Sequence, residues 1–236
     1  MRSCFLLLLM AYQGCALAHD LMGKVGSRSA LLVLHAEPRA DGSWQVAGEY
    51  VILATLARRF LEGERSPERG ITVLKEGTTP ILFGRPGIGE LRGVWREGSF
   101  KGARYGTGGQ LREEFEFSED FPSMDGYGVN VQCEAREGNY QSRLTLAIEK
   151  GKLKSLEWRT VEPGGQACNV AAQAQEPMRG GLRFLAGACR LTLRDAGEFL
   201  ALRAENCAAL CGAEATLDPL LIDSRGRCEV LRHGAR

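Results

Sequence analysis

The sequence predicts a mainly β protein built from two antiparallel units, each a meander sandwich or partly open barrel, with the second stapled by disulfides. Three observations predict it. Glycine-containing turn signals recur along the chain, which carries 30 glycines in 236 residues. The runs between them have strand length and alternate apolar with polar residues. Six of the eight cysteines (Cys133, Cys168, Cys189, Cys207, Cys211 and Cys228) follow residue 130, which divides a cysteine-free unit at 19–118 from a cysteine-bearing one at 119–236.

Ahead of both units, residues 1–18 have the layout of a secretory leader. Arg2 is the positive start, Phe5 to Met10 the apolar stretch, and Ala16-Leu17-Ala18 a small-x-small cleavage site, so the mature chain is expected to begin at His19. Tyr12, Gln13 and Gly14 interrupt the apolar run well short of the roughly 20 residues a membrane-spanning helix needs. Cys15 offers the alternative of a lipoprotein anchor, but Tyr12 and Gln13 stand where such signals carry an aliphatic and a small residue. An oxidising compartment, the periplasm or beyond, is the expected location.

In the first unit, Leu31 to His35 reads as a strand, Asp41-Gly42 as a tight hairpin turn, and Trp44 onward as the returning strand. The stretch Val51 to Leu61 suits a helix by composition, yet Tyr50, Ile52, Ala54 and Leu56 alternate, and it is read as strand. Ile71 to Leu74, Ile81 to Phe83, Glu90 to Arg96, Phe100 to Tyr105 and Leu111 to Phe117 follow as further strands. In the last, Leu111, Phe115 and Phe117 share one face, and Arg112, Glu114 and Glu116 the other. Ser118 to Gly126, polar with one proline and an Asp-Gly pair, reads as the linker.

The second unit alternates more cleanly. Tyr127, Val129, Val131, Cys133 and Ala135 oppose Asn130, Gln132 and Glu134. Tyr140 to Ile148 and Leu156 to Thr160 continue the pattern, and Cys189, Leu191 and Leu193 oppose Arg190, Thr192 and Arg194. A meander with one buried and one wet face is expected. An even cysteine set behind a leader reads as disulfides rather than a metal site, because only Cys207 and Cys211 are close neighbours and no histidine lies near them. The pairing expected is Cys133 with Cys168, Cys189 with Cys207, and Cys211 with Cys228, one of 15 arrangements.

Charge narrows the function. Lys plus Arg is 30 against 29 acids, and loss of Arg2 with the leader leaves the chain formally neutral. That argues against affinity built on phosphate neutralisation or on anionic membranes. No cofactor motif is present: Gly84 to Gly89 lacks the Lys-Ser/Thr ending of a phosphate loop. The histidines are His19, His35 and His233, so a histidine-based catalytic device would rest on His35, which ends an apolar strand. A mature His19 would offer an amine and imidazole to copper, with His35 or His233 as the further nitrogen. The acids Glu113, Glu114, Glu116, Glu119 and Asp120 would serve a carboxylate hydrolase only if two of them faced one cleft.

The layout Gly48-Glu49-Tyr50, Leu74-Lys75-Glu76 and Gly93-Val94-Trp95, with a tail Asn206-Cys207 and Cys211-Gly212-Ala213-Glu214-Ala215, resembles exported proteobacterial β proteins of unassigned function. In size class and staples the chain is also similar to periplasmic lysozyme-inhibitor and immunity-type proteins, though the serine-rich inhibitory motifs of the lysozyme-inhibitor families have no clear match. The resemblance implies a non-enzymatic periplasmic binding protein, an inhibitor of or immunity factor against a cell-wall hydrolase. A small carboxylate-based envelope hydrolase and a structural envelope module are the alternatives. The binding loops expected are Arg85 to Gly89 and Arg104 to Gln110, with Arg85, Arg104 and Tyr105 as anchors for an envelope protein partner.

Overall fold

The computed structural model describes residues 17–66, 70–78, 87–212 and 215–231. Mainly β structure runs through both units. Eight strands form a closed antiparallel barrel: β1 (Leu17–Val25), β2 (Arg28–Pro38), β3 (Trp44–Ile52), β4 (Ala57–Arg65), β5 (Ile71–Gly77), β6 (Gly89–Arg96), β7 (Ser99–Gly106) and β8 (Leu111–Ser118). Each strand pairs with the next. The ring closes where Met22 to Val25 of β1 meet Ser118 to Phe115 of β8. The ladder of β1 begins two residues before His19, at Leu17 opposite Ala36.

Inward positions alternate along every strand and include Leu32, Leu61, Leu74, Leu91, Phe100 and Phe117, all buried. Several inward positions are instead glycine, and the reason is backbone approach. A Cβ on Gly63 would overlap the Val73 carbonyl oxygen, and one on Gly102 that of Arg92. Strands can therefore coil inward there, as a small barrel requires. A Cβ on Gly93 would lie 2.7 Å from the ring of Phe100. Phe100 and Phe115, with ring centroids 4.8 Å apart, occupy the room Gly93 leaves.

The stretch Val51 to Leu61 is not one strand. β3 ends at Ile52, the chain turns through Leu53 to Leu56, and β4 starts at Ala57. The turn lacks glycine and proline, and Leu56 supplies the positive φ of 54°. Leu53 stays apolar because it is buried against the second unit. The strand expected at Ile81 to Phe83 lies outside the described residues.

The second unit has two sheets. β9 (Val129–Glu137), β10 (Tyr140–Glu149), β11 (Lys152–Val161) and β12 (Ala167–Ala171) form one. The other contains β13 (Ala174–Glu176), β14 (Leu182–Ala186), β15 (Cys189–Asp195), β16 (Phe199–Glu205), β17 (Leu220–Asp223) and β18 (Cys228–Val230), with the short helix α1 (Ala208–Cys211) between β16 and β17. Their shared core includes Tyr140, Leu144, Trp158, Phe184, Leu191 and Leu202. The indole of Trp158 donates to Ser142 Oγ at 2.9 Å, so the buried N–H is satisfied.

All six cysteines of this unit are paired, but only one expected pair is present. Cys189 joins Cys207, whereas Cys133 joins Cys228 and Cys168 joins Cys211. Sequence neighbours are the wrong guide here, because the bonds follow the gaps between the sheets. Cys133–Cys228 ties β9 to β18, the outer strands of two different sheets. Cys168–Cys211 ties β12 to α1.

The expected wet face of the six-stranded sheet is also a barrel contact. Ala196, Leu221 and Leu231 pack with Leu31, Val33 and Val51 on the outer face of β2 and β3. Asp20 of β1 receives Arg203 Nη1 at 2.6 Å, both largely buried. At the edge of this junction Glu49, 1% exposed, accepts from Arg58 Nε at 3.0 Å. Arg58 also reaches Glu137 of the second unit at 3.3 Å. Burial pushes Glu49 up to about 7, against the lowering effect of Arg58.

Candidate functional site

One mouth of the barrel is filled with charge. Tyr50 pairs with Arg59, Leu91 with Arg104, and Arg104 with Glu113, so all five side chains share the inward face that also holds Glu76. Glu76 is fully buried, yet it has four donors. Arg104 Nε and Nη2 lie at 2.6 and 3.0 Å, the Tyr50 hydroxyl donates at 3.0 Å, and Arg59 Nε lies at 3.3 Å. Arg104 Nη1 reaches Glu113 at 3.0 Å, and Arg28 closes the far side of Glu113 at 2.7 and 2.9 Å. Hydrogen bonding to Glu76 holds the Arg104 guanidinium above its ordinary value, and burial together with the Glu76 charge raises the Tyr50 phenol. A buried carboxylate held by two guanidiniums and a phenol acts as a strut that ties β3, β4, β5 and β7 together at this mouth.

This geometry places the sequence candidates. Arg104, expected as an exposed anchor, points into the barrel and is committed to Glu76 and Glu113. Tyr105, one residue on, points out. Arg85 lies outside the described residues; the β7–β8 connection lies at this mouth. The motif residues Tyr50 and Glu76 meet as the hydrogen bond above, while Gly93 and Trp95 lie on the inward face of β6.

The outward face of β5 to β8, across the barrel from the second unit, has a different character. Val73 is opposite Arg92, and Tyr105 is flanked by Glu90 and Leu111, so these side chains lie on one surface. The register shift at Arg104/Tyr105 is what turns Leu111 outward beside Tyr105 instead of inward behind Glu113. Ile71 is 39%, Val73 37%, Ile88 39% and Leu111 60% exposed, four of the five exposed large hydrophobics among the described residues. The Arg92 guanidinium stacks over the Tyr105 ring at 4.8 Å, and its carboxylate partner is Glu90. Alternation of Ile71, Val73 and Ile88 with inward residues could have shown this face from the sequence.

The remaining candidates do not converge. Glu113 faces inward and Glu116 outward, where it pairs with Lys101. His19 lies against Trp95, with ring centroids 4.6 Å apart, and its Nδ1 contacts Glu119 Oε1 at 2.7 Å. His35 belongs to the opposite face, since His19 is paired with Leu34, and His233 lies outside the described residues. Among the described residues no group of three or more potential metal ligands occurs, and no helix is long and apolar enough to cross a membrane. Comparison with family models, curated proteins and solved structures finds no match to this chain.

Proposed function

We propose that this chain is a non-enzymatic binding protein of the bacterial periplasm, exported by its leader and cleaved before His19, and that the outward face of β5–β8 is its protein-binding surface. The partner is an envelope protein, and restraint of a cell-wall hydrolase is the specific form of this role. The observation that carries the reading is the exposed aliphatic set Ile71, Val73, Ile88 and Leu111 around the Arg92–Tyr105 stack. Arginine and aromatic anchors beside aliphatic surface are what protein interfaces favour. The disulfides favour an oxidising location. A barrel wall is pre-organised, so little ordering entropy opposes docking.

Affinity capture from envelope extract by the wild-type chain, with Tyr105→Ala and Arg92→Ala as parallel baits, tests this. A specific partner is expected whose affinity falls roughly thirtyfold in either variant while the circular dichroism spectrum is unchanged. A partner retained equally by both variants would move the surface elsewhere. Turnover of peptidoglycan or an ester by the purified chain would replace the binder with an enzyme. Amino-terminal sequencing checks the location: a lipidated Cys15 in place of His19 would make it an anchored protein.

A further inference from the structure

Glu49 stands on the outer wall of the barrel, opposite Val33 of β2 and Phe60 of β4, yet it is buried. An outward carboxylate loses its water only where something covers it, and the cover here is the second unit. Val33 and Val51, its neighbours on that wall, pack with Leu221 and Leu231. The carboxylate is only half served. Its Oε2 accepts from Arg58 Nε at 3.0 Å and lies 2.9 Å from Arg58 Nη2, whereas the buried Oε1 has no hydrogen-bond partner. Arg58 is drawn two ways, since its Nη1 reaches Glu137 of the second unit at 3.3 Å. The other second-unit charge that bears on Glu49 is Asp218, and it and Glu137 both favour the protonated form. On the barrel wall His35 of β2 and Glu62 of β4 lie one pair along, both opposite Ala47.

We propose that Glu49 is a proton-operated latch on the seam between the units: protonated, it lets the second unit close on the barrel, and ionised, it favours a parted seam. The argument is one of solvation. An ionised carboxylate with an unbonded oxygen is costly inside a closed seam, and parting the seam returns water to it. A protonated carboxyl has no charge to hydrate. It also weakens the pull on Arg58 from the barrel side, which leaves that guanidinium to Glu137 across the seam. In the closed chain burial pushes Glu49 up to about 7, and opening returns it to the ordinary 4.5. Proton binding and closure are therefore linked, and closure is favoured as pH falls. Between those two values the opening constant is on the order of fiftyfold larger at pH 8 than at pH 5. Parting the seam need not unfold either half, because the barrel and the second unit have separate cores and only the cluster between them is exposed. The latch does not depend on the role proposed for the β5–β8 face.

Alkylation of a thiol buried in the seam tests this, followed site by site in the full, oxidised chain by mass spectrometry. The probe is Val51→Cys, because Val51 is buried in the seam two residues from Glu49 and a thiol is close to valine in size. Corrected for thiolate fraction, its rate should rise roughly fiftyfold from pH 5 to pH 8. Leu32→Cys is the control. Its thiol points into the barrel core, so it reports unfolding of the barrel and should react at least about tenfold more slowly than the seam probe at pH 8. With Glu49→Gln added, the seam probe should keep its slow acid rate throughout. Should that variant not fold, the wild-type chain supplies the second measurement: the Glu49 carboxyl carbon, followed by NMR, should titrate at about 7. A midpoint in the ordinary carboxylate range, equal rates at the two probes, or a pH-dependent seam rate that survives Glu49→Gln would overturn the proposal.

Discussion

The barrel and the second unit solve one problem in two ways. Each is an antiparallel meander, and a meander leaves two end strands whose outer edges need partners. In the barrel, β1 and β8 pair with each other, so backbone hydrogen bonds remove both edges and no cysteine is needed. The second unit ends its sheets without that pairing and ties them covalently, through Cys133–Cys228 and Cys168–Cys211. The barrel carries a charged cluster inside, around Glu76; the second unit buries neutral polar groups such as Ser142 and Thr160 beside its apolar core and puts Arg203 on the face that meets the barrel. Closure by hydrogen bonds and closure by sulfur are thus separable, and the two halves should fail under different insults.

The largest expected effect is reduction. Loss of a native disulfide from a small domain costs about 2–5 kcal/mol, and three are lost together here. Hydrogen exchange in dithiothreitol should therefore show protection lost across 129–230 and retained across 19–118. Equal loss in both would erase the contrast. The converse insult is Glu76→Leu, which strands Arg104 and Arg59 inside the barrel. A loss of roughly 3–5 kcal/mol is expected in urea unfolding, with the disulfides intact. A change below about 1 kcal/mol would mean that the cluster is filler rather than strut.

A third test addresses the seam between the halves. Glu49 is raised in the folded chain to about 7 from an ordinary 4.5, so the folded state binds its proton more tightly than the unfolded one. The associated stability is fully present below pH 4.5 and lost as pH rises through about 7. Between pH 8 and pH 5 the chain should gain roughly 2–3 kcal/mol from this group, and Glu49→Gln should flatten that slope. A variant with the wild-type slope would assign the pH dependence elsewhere. The smallest effect is at the surface: Tyr105→Ala should shift the melting temperature by no more than about 2 °C, because the ring lies on the outer wall of the barrel, outside its core.

What the sequence made legible follows the same division. Alternation in β9 to β11 was readable because one face there is core and the other is solvent. The same pattern misled at β15, where Thr192 is polar yet buried, since the face it shares with Arg203 of β16 covers the barrel. Arg104 looked like surface because charge usually is, although it shares strand parity with Phe100 and Gly102, and that parity was the available signal. The disulfide pairing was out of reach: which strands end beside a gap is a property of the whole topology. Leu53 to Leu56 hid a chain reversal because its buried leucine belongs to an interface that only the second unit creates.

The seam of the barrel has a consequence for the order of events during folding. β1 is made first, yet its second partner is β8, the last strand of the ring, so a nascent barrel remains an open sheet until residue 118 is available. The second unit repeats this, since Cys133 waits for Cys228, 95 residues later. Such long-range contacts slow folding and lengthen the time that strand edges stay exposed. A chain that emerges amino-terminus first therefore carries two unsealed sheets in succession, and the interval before each seal is when a chaperone or a thiol oxidase has most to do.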